Sequence, residues 1–166
     1  MAAAVTLRAR DVMQTDVISV APTLPLVDLA DFLIRERISG APVVDDGALV
    51  GHVSRSDLVR AGSLERSLAG AVAEVADPPE FAPAEEPTLV ASLASVAPAL
   101  QAKTVRDIMV TEVVTVRPET PLTEVARTLF TRHLHRVLVT EGATVRGVIS
   151  TLDLVRLIAD ERLRSA

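Results

Sequence analysis

RDVMQT at residues 10–15 returns as RDIMVT at residues 106–111, and GHVSRSDLVR at 51–60 returns as GVISTLDLVR at 147–156. Both pairs lie 96 positions apart. The same offset holds across the whole interval: residues 10–60 match 106–156 at 18 of 51 positions without a gap. The identities include Met13/Met109, Pro22/Pro118, Pro25/Pro121, Gly51/Gly147, Ser54/Ser150, Asp57/Asp153 and Arg60/Arg156. An internal repeat of this strength defines the structural unit before any local pattern is read. One slip of register falls near Gly47 and Gly142, where a turn is placed one residue differently.

Each copy reads alike. The RDVM and RDIM stretches form an opening turn, with Asp11 and Asp107 as its capping acids beside arginines. DVISVAP and EVVTVRP are β-branched runs closed by proline, hence strands. Helical spacing follows: Leu26, Leu29, Ala30 and Leu33 share one face, as do Leu122, Val125, Ala126 and Leu129. Thr120 before Pro121 predicts an N-cap with proline in the first turn. APVVDDGALVGHVS and VLVTEGATVRGVIS each predict strand, glycine turn, strand. SRSDLVR and STLDLVRLIADERL open a second helix.

The fold class is therefore α+β, with two pseudo-symmetric βαββα units. One copy buries too little apolar surface to stand alone, so two packed sheet to sheet share a core. The expected boundaries are residues 7–61, a helical connector over 62–103, and residues 104–161. In the connector, two apolar stretches read as helices around the Pro- and Glu-rich ADPPEFAPAEEP. It either covers one edge of the pair or acts as a lid or docking segment.

Composition excludes several function classes. Apolar residues make up 49% of the 166, with three Phe and no Tyr or Trp, so any planar ligand must be gripped by aliphatic side chains and backbone. Net charge is −5 and no long basic run exists, which argues against a nucleic-acid partner. The absence of cysteine excludes disulfides and thiolate chemistry. Met1–Val5 is too short for a signal core, and no apolar run reaches the roughly 18 residues of a membrane helix. The expectation is a cytoplasmic protein that does not engage a membrane. His133 and His135 stand two apart without an evident third ligand, so no metal site is expected.

The opening RD[VI]M, the proline-terminated first strand, the PVVD of Pro42–Asp45, and the G-h-h-S-x-x-D-L-V of Gly51–Val59 and Gly147–Val155 resemble the CBS (cystathionine-beta-synthase) domain family. The resemblance spans nearly everything but the insert and termini. It implies a tandem pair, or Bateman module, that commonly dimerises. Such modules bind adenosine-type ligands between the copies and usually regulate another protein. The long insert is also similar to that of plant stand-alone CBS-pair proteins.

A ribose diol suits a carboxylate, and Asp57 and Asp153 are the candidates. A phosphate suits hydroxyl and backbone donors at a helix start, as at Ser54, Ser56, Ser150 and Thr151. Mapped by the resemblance, one cleft combines Ser54, Arg55, Ser56 and Asp57 with Thr111, Val113, His135, Arg136 and Val137. The other combines Ser150, Thr151 and Asp153 with Thr15, Val17, Ser39, Ala41 and Pro42. Arg55, His135 and Arg136 give the first cleft positive charge for phosphates. Val137, larger than Ala41, narrows that same cleft. Ser-x-x-Asp before an apolar helix is equally a capping box that needs no ligand.

Three functions compete. A sensor would take AMP, ADP, ATP or S-adenosylmethionine as ligand, require no cofactor, form a homodimer, and act on an effector protein carried on a separate chain. A scaffold dimer would leave its clefts empty. An enzyme reading finds no nucleophile–base pair, phosphate loop or catalytic carboxylate pair.

Overall fold

The computed structural model describes residues 7–62 and 102–160. The connector expected over 62–103 lies almost wholly outside the described residues. In chain order the elements are α1 (Leu26–Arg35), β1 (Gly40–Asp45), β2 (Ala48–Ser54), α2 (described over residues 55–62), β3 (Thr115–Val116), α3 (Leu122–Thr131), β4 (Arg136–Glu141), β5 (Thr144–Ser150) and α4 (Thr151–Ala159). Single 3-10 turns at Ala9–Asp11 and Val105–Asp107 are the two opening turns. The chain is thus a mixed helix and strand protein, as its periodicities predict.

The helical faces fall where the spacing places them. Leu26, Leu29 and Leu33 are buried on α1, and Leu122, Val125 and Leu129 on α3. Thr120 does not cap α3. The helix starts after Pro121 with no side-chain cap, and the Thr120 hydroxyl instead accepts from the Arg117 N–H at 3.0 Å, holding the turn that precedes the helix. Both helices stop in the same way. Arg37 and His133 take left-handed φ of 54°. Ile38 N–H then reaches the Leu33 carbonyl at 3.1 Å, and Leu134 N–H the Leu129 carbonyl at 2.9 Å. This is a Schellman stop built without glycine.

The second sheet has order β3-β4-β5, with β3 parallel and β5 antiparallel to β4. The first holds only β1 and β2. The strand expected at DVISVAP shrinks to a single parallel bridge, Val20 with Val43. Val44 N–H donates to the Val20 carbonyl, so the next N–H along that edge belongs to position 42. That residue is Pro42, which has none, whereas Leu138 stands there in the second copy. EVVTVRP likewise yields only the two-residue β3.

The one-residue slip between the copies is a turn substitution. Asp46 and Gly47 both have positive φ, 47° and 80°, the signature of a type I′ link between β1 and β2. In the second copy only Gly142 does, at 61°, so glycine moves to the first turn position. The register of β4 with β5 shifts between Val139 and Thr140.

The described residues divide into two compact units that interleave along the chain. One comprises residues 19–45, 50–62 and 102–111; the other residues 7–18, 46–49 and 112–160. The boundaries of the sequence repeat are therefore not those of the packed units. Each unit takes its opening turn from the other repeat. In the α3 unit, Ala9 N–H bonds the Thr120 carbonyl, Leu122 N–H bonds the Leu7 carbonyl, and Gln14 and Val148 exchange two bonds of 2.9 Å. In the α1 unit, Val105 N–H bonds Leu24, Leu26 N–H bonds Lys103, and Val110 and His52 exchange two bonds of 2.9 Å. These bonds match one for one at the repeat offset.

Side chains secure the same joints. Arg8 and Arg10 both pair with Glu119, and Arg106 pairs with Asp45 at 3.1 Å. Asp11 accepts from Arg8 N–H, and Asp107 from Thr104 N–H and hydroxyl, as capping acids should. Those Thr104 bonds hold the Asp107 carboxyl below its usual range. Each unit has its own core. Val20, Leu26, Leu29, Leu33, Ala41, Val43, Val53 and Val105 build one; Ala9, Val116, Val125, Leu129, Val137, Val139 and Ile149 build the other. Ala9 and Val105, from the opening turns, are fully buried in them.

Candidate functional site

A strand that ends on serine and runs straight into a helix leaves the first helical N–H groups without partners. Both repeats answer with Ser-x-x-Asp. In the α3 unit, Ser150 N–H and Ser150 Oγ–H both donate to Asp153 Oδ2, at 2.7 and 2.6 Å. The Asp153 N–H donates back to Ser150 Oγ at 3.3 Å. In the α1 unit, Ser54 N–H and Oγ–H donate to Asp57 Oδ2 at 2.9 and 2.5 Å, and Asp57 N–H returns to Ser54 Oγ at 3.4 Å. The capping box is therefore formed in both copies. The next amides are satisfied as well: Arg55 N–H by the Ser39 carbonyl and Thr151 N–H by the His135 carbonyl.

The second carboxylate oxygen distinguishes the two. Asp57 Oδ1 accepts from Arg60 Nη1 at 3.0 Å, within the same helix. Asp153 Oδ1 accepts from Gln14 Nε2 at 2.8 Å, and Gln14 comes from the opening segment of the other repeat. Arg156, the counterpart of Arg60, lies 3.8 Å from Asp160. Asp57 is 7% exposed, while Asp153 is half-buried. At Asp153, burial raises the carboxyl pKa. The Ser150 hydroxyl and N–H, then Gln14, then the charge of Arg156 outweigh it, so the carboxyl sits below its usual range.

The sign of the resulting pH dependence is definite. A depressed folded-state pKa adds stability above the unfolded value, and this is lost as pH falls through the folded one. Asp153→Asn is expected to cost about 1 kcal/mol at pH 7, the usual worth of such a cap. The gap to the parent should close as pH falls below the carboxylate range. Urea unfolding followed at pH 7 and at acid pH measures it; a gap that widened in acid would contradict the geometry.

The expected ligand residues are divided between the units. Ser39, Ala41, Pro42, Ser54, Arg55, Ser56, Asp57 and Thr111 belong to the α1 unit; Thr15, Val17, Val113, His135, Arg136, Val137, Ser150, Thr151 and Asp153 to the α3 unit. Within the α1 unit, Arg55 Nη2 donates to the Leu33 carbonyl at 3.1 Å, so this cation also serves the end of α1. Ala41 and Val137, expected to line the two clefts, are core residues of their own units, with side chains buried among Val20 and Val43 or Val116 and Val139. What they have for a ligand is backbone. Ser39, Ser56, Thr15, Thr111, His135 and Arg136 are exposed. His133 is the left-handed residue that ends α3, and no group of three metal-ligating side chains occurs among the described residues. No described helix is long and apolar enough to cross a membrane.

Gln14 and Arg60 complete the aspartates and were missed as partners by sequence reasoning. The signal for Gln14 lay in the opening motif: position 14 is Gln where its counterpart, position 110, is Val.

Two mixed helix and strand units that interleave along the chain, each opening its last helix with a Ser-x-x-Asp box and each closed by the other repeat's N-terminal turn, define a tandem-repeat domain pair. The sequence pattern of the CBS domain matches residues 9–63 and 105–160, and the chain belongs to that family. It resembles the CBS domain of a CBS-domain-containing membrane protein from Sphaerobacter thermophilus, at 25% identity and TM-score 0.65, covering 92% of this chain and 88% of that one. CBSX2 of Arabidopsis thaliana, in a structure with AMP, shares the fold at 23% identity and TM-score 0.66, covering 93% and 98%. A zinc metalloprotease of Methanocaldococcus jannaschii, MJ0392, is 24% identical over 153 residues. That match takes in 92% of this chain but only 32% of the protease, so the chain spans about a third of that relative.

Proposed function

We propose that this CBS pair is a regulatory module that binds an adenosine-type ligand (AMP, ADP, ATP or S-adenosylmethionine) and acts on a separate effector protein without catalysing a reaction itself. The observation that carries the reading is the pair of aspartates, each fixed by a serine at a helix start with Oδ1 turned to a polar side chain that a sugar hydroxyl can join or replace. The AMP complex of CBSX2 supports the ligand class. The competing reading is a ligand-free scaffold. It draws on the completeness of both caps and on the burial of Asp57, which leave the protein satisfied as it stands.

A thermal-shift titration separates them. A ligand present at about 100 times its Kd stabilises the folded state by about 2.7 kcal/mol, which raises Tm by roughly 5 °C or more in a protein of this size. Adenine ligands at millimolar concentration are expected to give that shift, and Asp57→Ala together with Asp153→Ala to abolish it. A flat response across AMP, ADP, ATP and S-adenosylmethionine would leave only the scaffold.

The same module is proposed to pair with a second copy. Leu152, Val155 and Ile158 recur at three-residue spacing on α4 and are 75%, 56% and 64% exposed; Phe130 on α3 of the same unit is 80% exposed. Apolar stripes of this kind are normally covered. Val155→Asp is expected to convert a dimer to monomer in light scattering coupled to gel filtration, and an unchanged mass would exclude this face.

A further inference from the structure

The two aspartates have the same serine partners but different spare acceptors, and hydrogen-bond arithmetic turns that difference into specificity. A carboxylate oxygen offers two lone pairs. Asp153 Oδ2 already takes two donors from Ser150 and is full. Oδ1 takes one from Gln14 and has one place left. Asp153 alone therefore cannot accept from both hydroxyls of a vicinal diol by using its two oxygens side by side.

Gln14 supplies what is lacking. Its carboxamide must turn Nε2 to Asp153, because an ionised carboxylate only accepts. That leaves Oε1, an acceptor, on an exposed side chain next to the carboxylate. The backbone holds Gln14 in place through its two bonds to Val148, which do not depend on its side chain. Asp57 lacks this neighbour. Val110 stands at the corresponding position, with the same two backbone bonds to His52, and Arg60 contributes donors only.

We infer that Gln14 is a specificity-determining residue: Asp153 and Gln14 form a two-acceptor edge that reads an intact cis-diol, each accepting from one of its hydroxyls. The inference rests on the adenosine-ligand reading above and deepens it.

Titration calorimetry of the whole chain with adenosine, 2′-deoxyadenosine and 3′-deoxyadenosine tests it, on the parent and Gln14→Val, each also with Asp57→Ala to silence the other edge. Gln14→Val installs the residue already present at position 110, at an exposed site, so the fold is expected to persist; an unchanged far-UV CD melt checks this. The parent edge should prefer adenosine over either deoxynucleoside by about tenfold, the worth of one well-made hydrogen bond. Gln14→Val should weaken adenosine by about that factor and leave within about twofold the one deoxynucleoside that lacks the hydroxyl facing Gln14, so the preference over that nucleoside disappears while the preference over the other, which reports Asp153, remains. A preference unchanged over both deoxynucleosides in Gln14→Val overturns the inference while leaving the ligand reading intact. Tighter adenosine binding by that variant also overturns it, because Gln14 would then be a competitor for Asp153. No binding of any adenosine to the parent overturns both. If Asp57→Ala impairs folding, the same ratios are read on the two variants that retain Asp57.

Discussion

Gly147→Val is expected to destabilise the α3 unit by about 3 kcal/mol, at the severe end for a single substitution. A Cβ at Gly147 would lie 2.7 Å from Met13 Sδ, 2.8 Å from Met13 Cγ and 2.9 Å from the Gln14 carbonyl oxygen. The methionine can swing aside. The carbonyl cannot, because Gln14 and Val148 are joined by two backbone bonds. A valine must therefore push the opening segment off β5 and take Gln14 away from Asp153. The expected result is a lower urea midpoint together with loss of whatever ligand response the Asp153 edge provides. Gly51 faces Met109 and the Val110 carbonyl in the same way, at 2.9 and 3.0 Å, so Gly51→Val should act alike on the α1 unit. A Gly147→Val protein as stable as the parent would show that the opening turn is not docked there.

Leu29→Ala is expected to cost about 3 kcal/mol, within the range for a fully buried leucine whose neighbours relax only in part. Leu29 has no exposed surface and sits in the core that Leu26, Leu33, Val43, Val53 and Val105 complete. Its counterpart in the other repeat is Val125, equally buried but one methylene smaller, so Val125→Ala should cost about 1 kcal/mol less. Urea unfolding followed by far-UV CD measures both. Equal costs would mean that the two cores do not share the architecture their sequences share. Because Val105 arrives from the second repeat's opening turn, Leu29→Ala should also loosen residues 104–110, which hydrogen exchange at Val110 would register.

Much of the local structure was legible because it depends on residues close in sequence. The faces of α1 and α3 follow from leucine spacing, the hairpins from β-branched runs around glycine, and both Ser-x-x-Asp caps from three-residue contacts. The misses have identifiable causes. The first strand of the first copy nearly vanishes because Pro42 lacks a donor, a defect visible only once the strand is known to lie beside β1. Thr120 has the composition of a cap but serves the preceding turn. The helix stops at Arg37 and His133 lack the glycine that would have announced them.

By itself, then, the amino-acid sequence determined that there are two copies, what elements each contains, and which serine and aspartate open each last helix. Periodicity and capping act over a few residues, so they are written in order along the chain. Which opening turn completes which copy is set by packing between segments far apart in the chain. Met13 and Met109 are the same residue facing the same glycine, and RDVM and RDIM carry the same bonding groups, so pairing within a repeat and pairing across repeats are equally compatible with the pattern. The crossed pairing is what brings Gln14 from one repeat to Asp153 of the other, and with it an amide neighbour that Asp57 lacks.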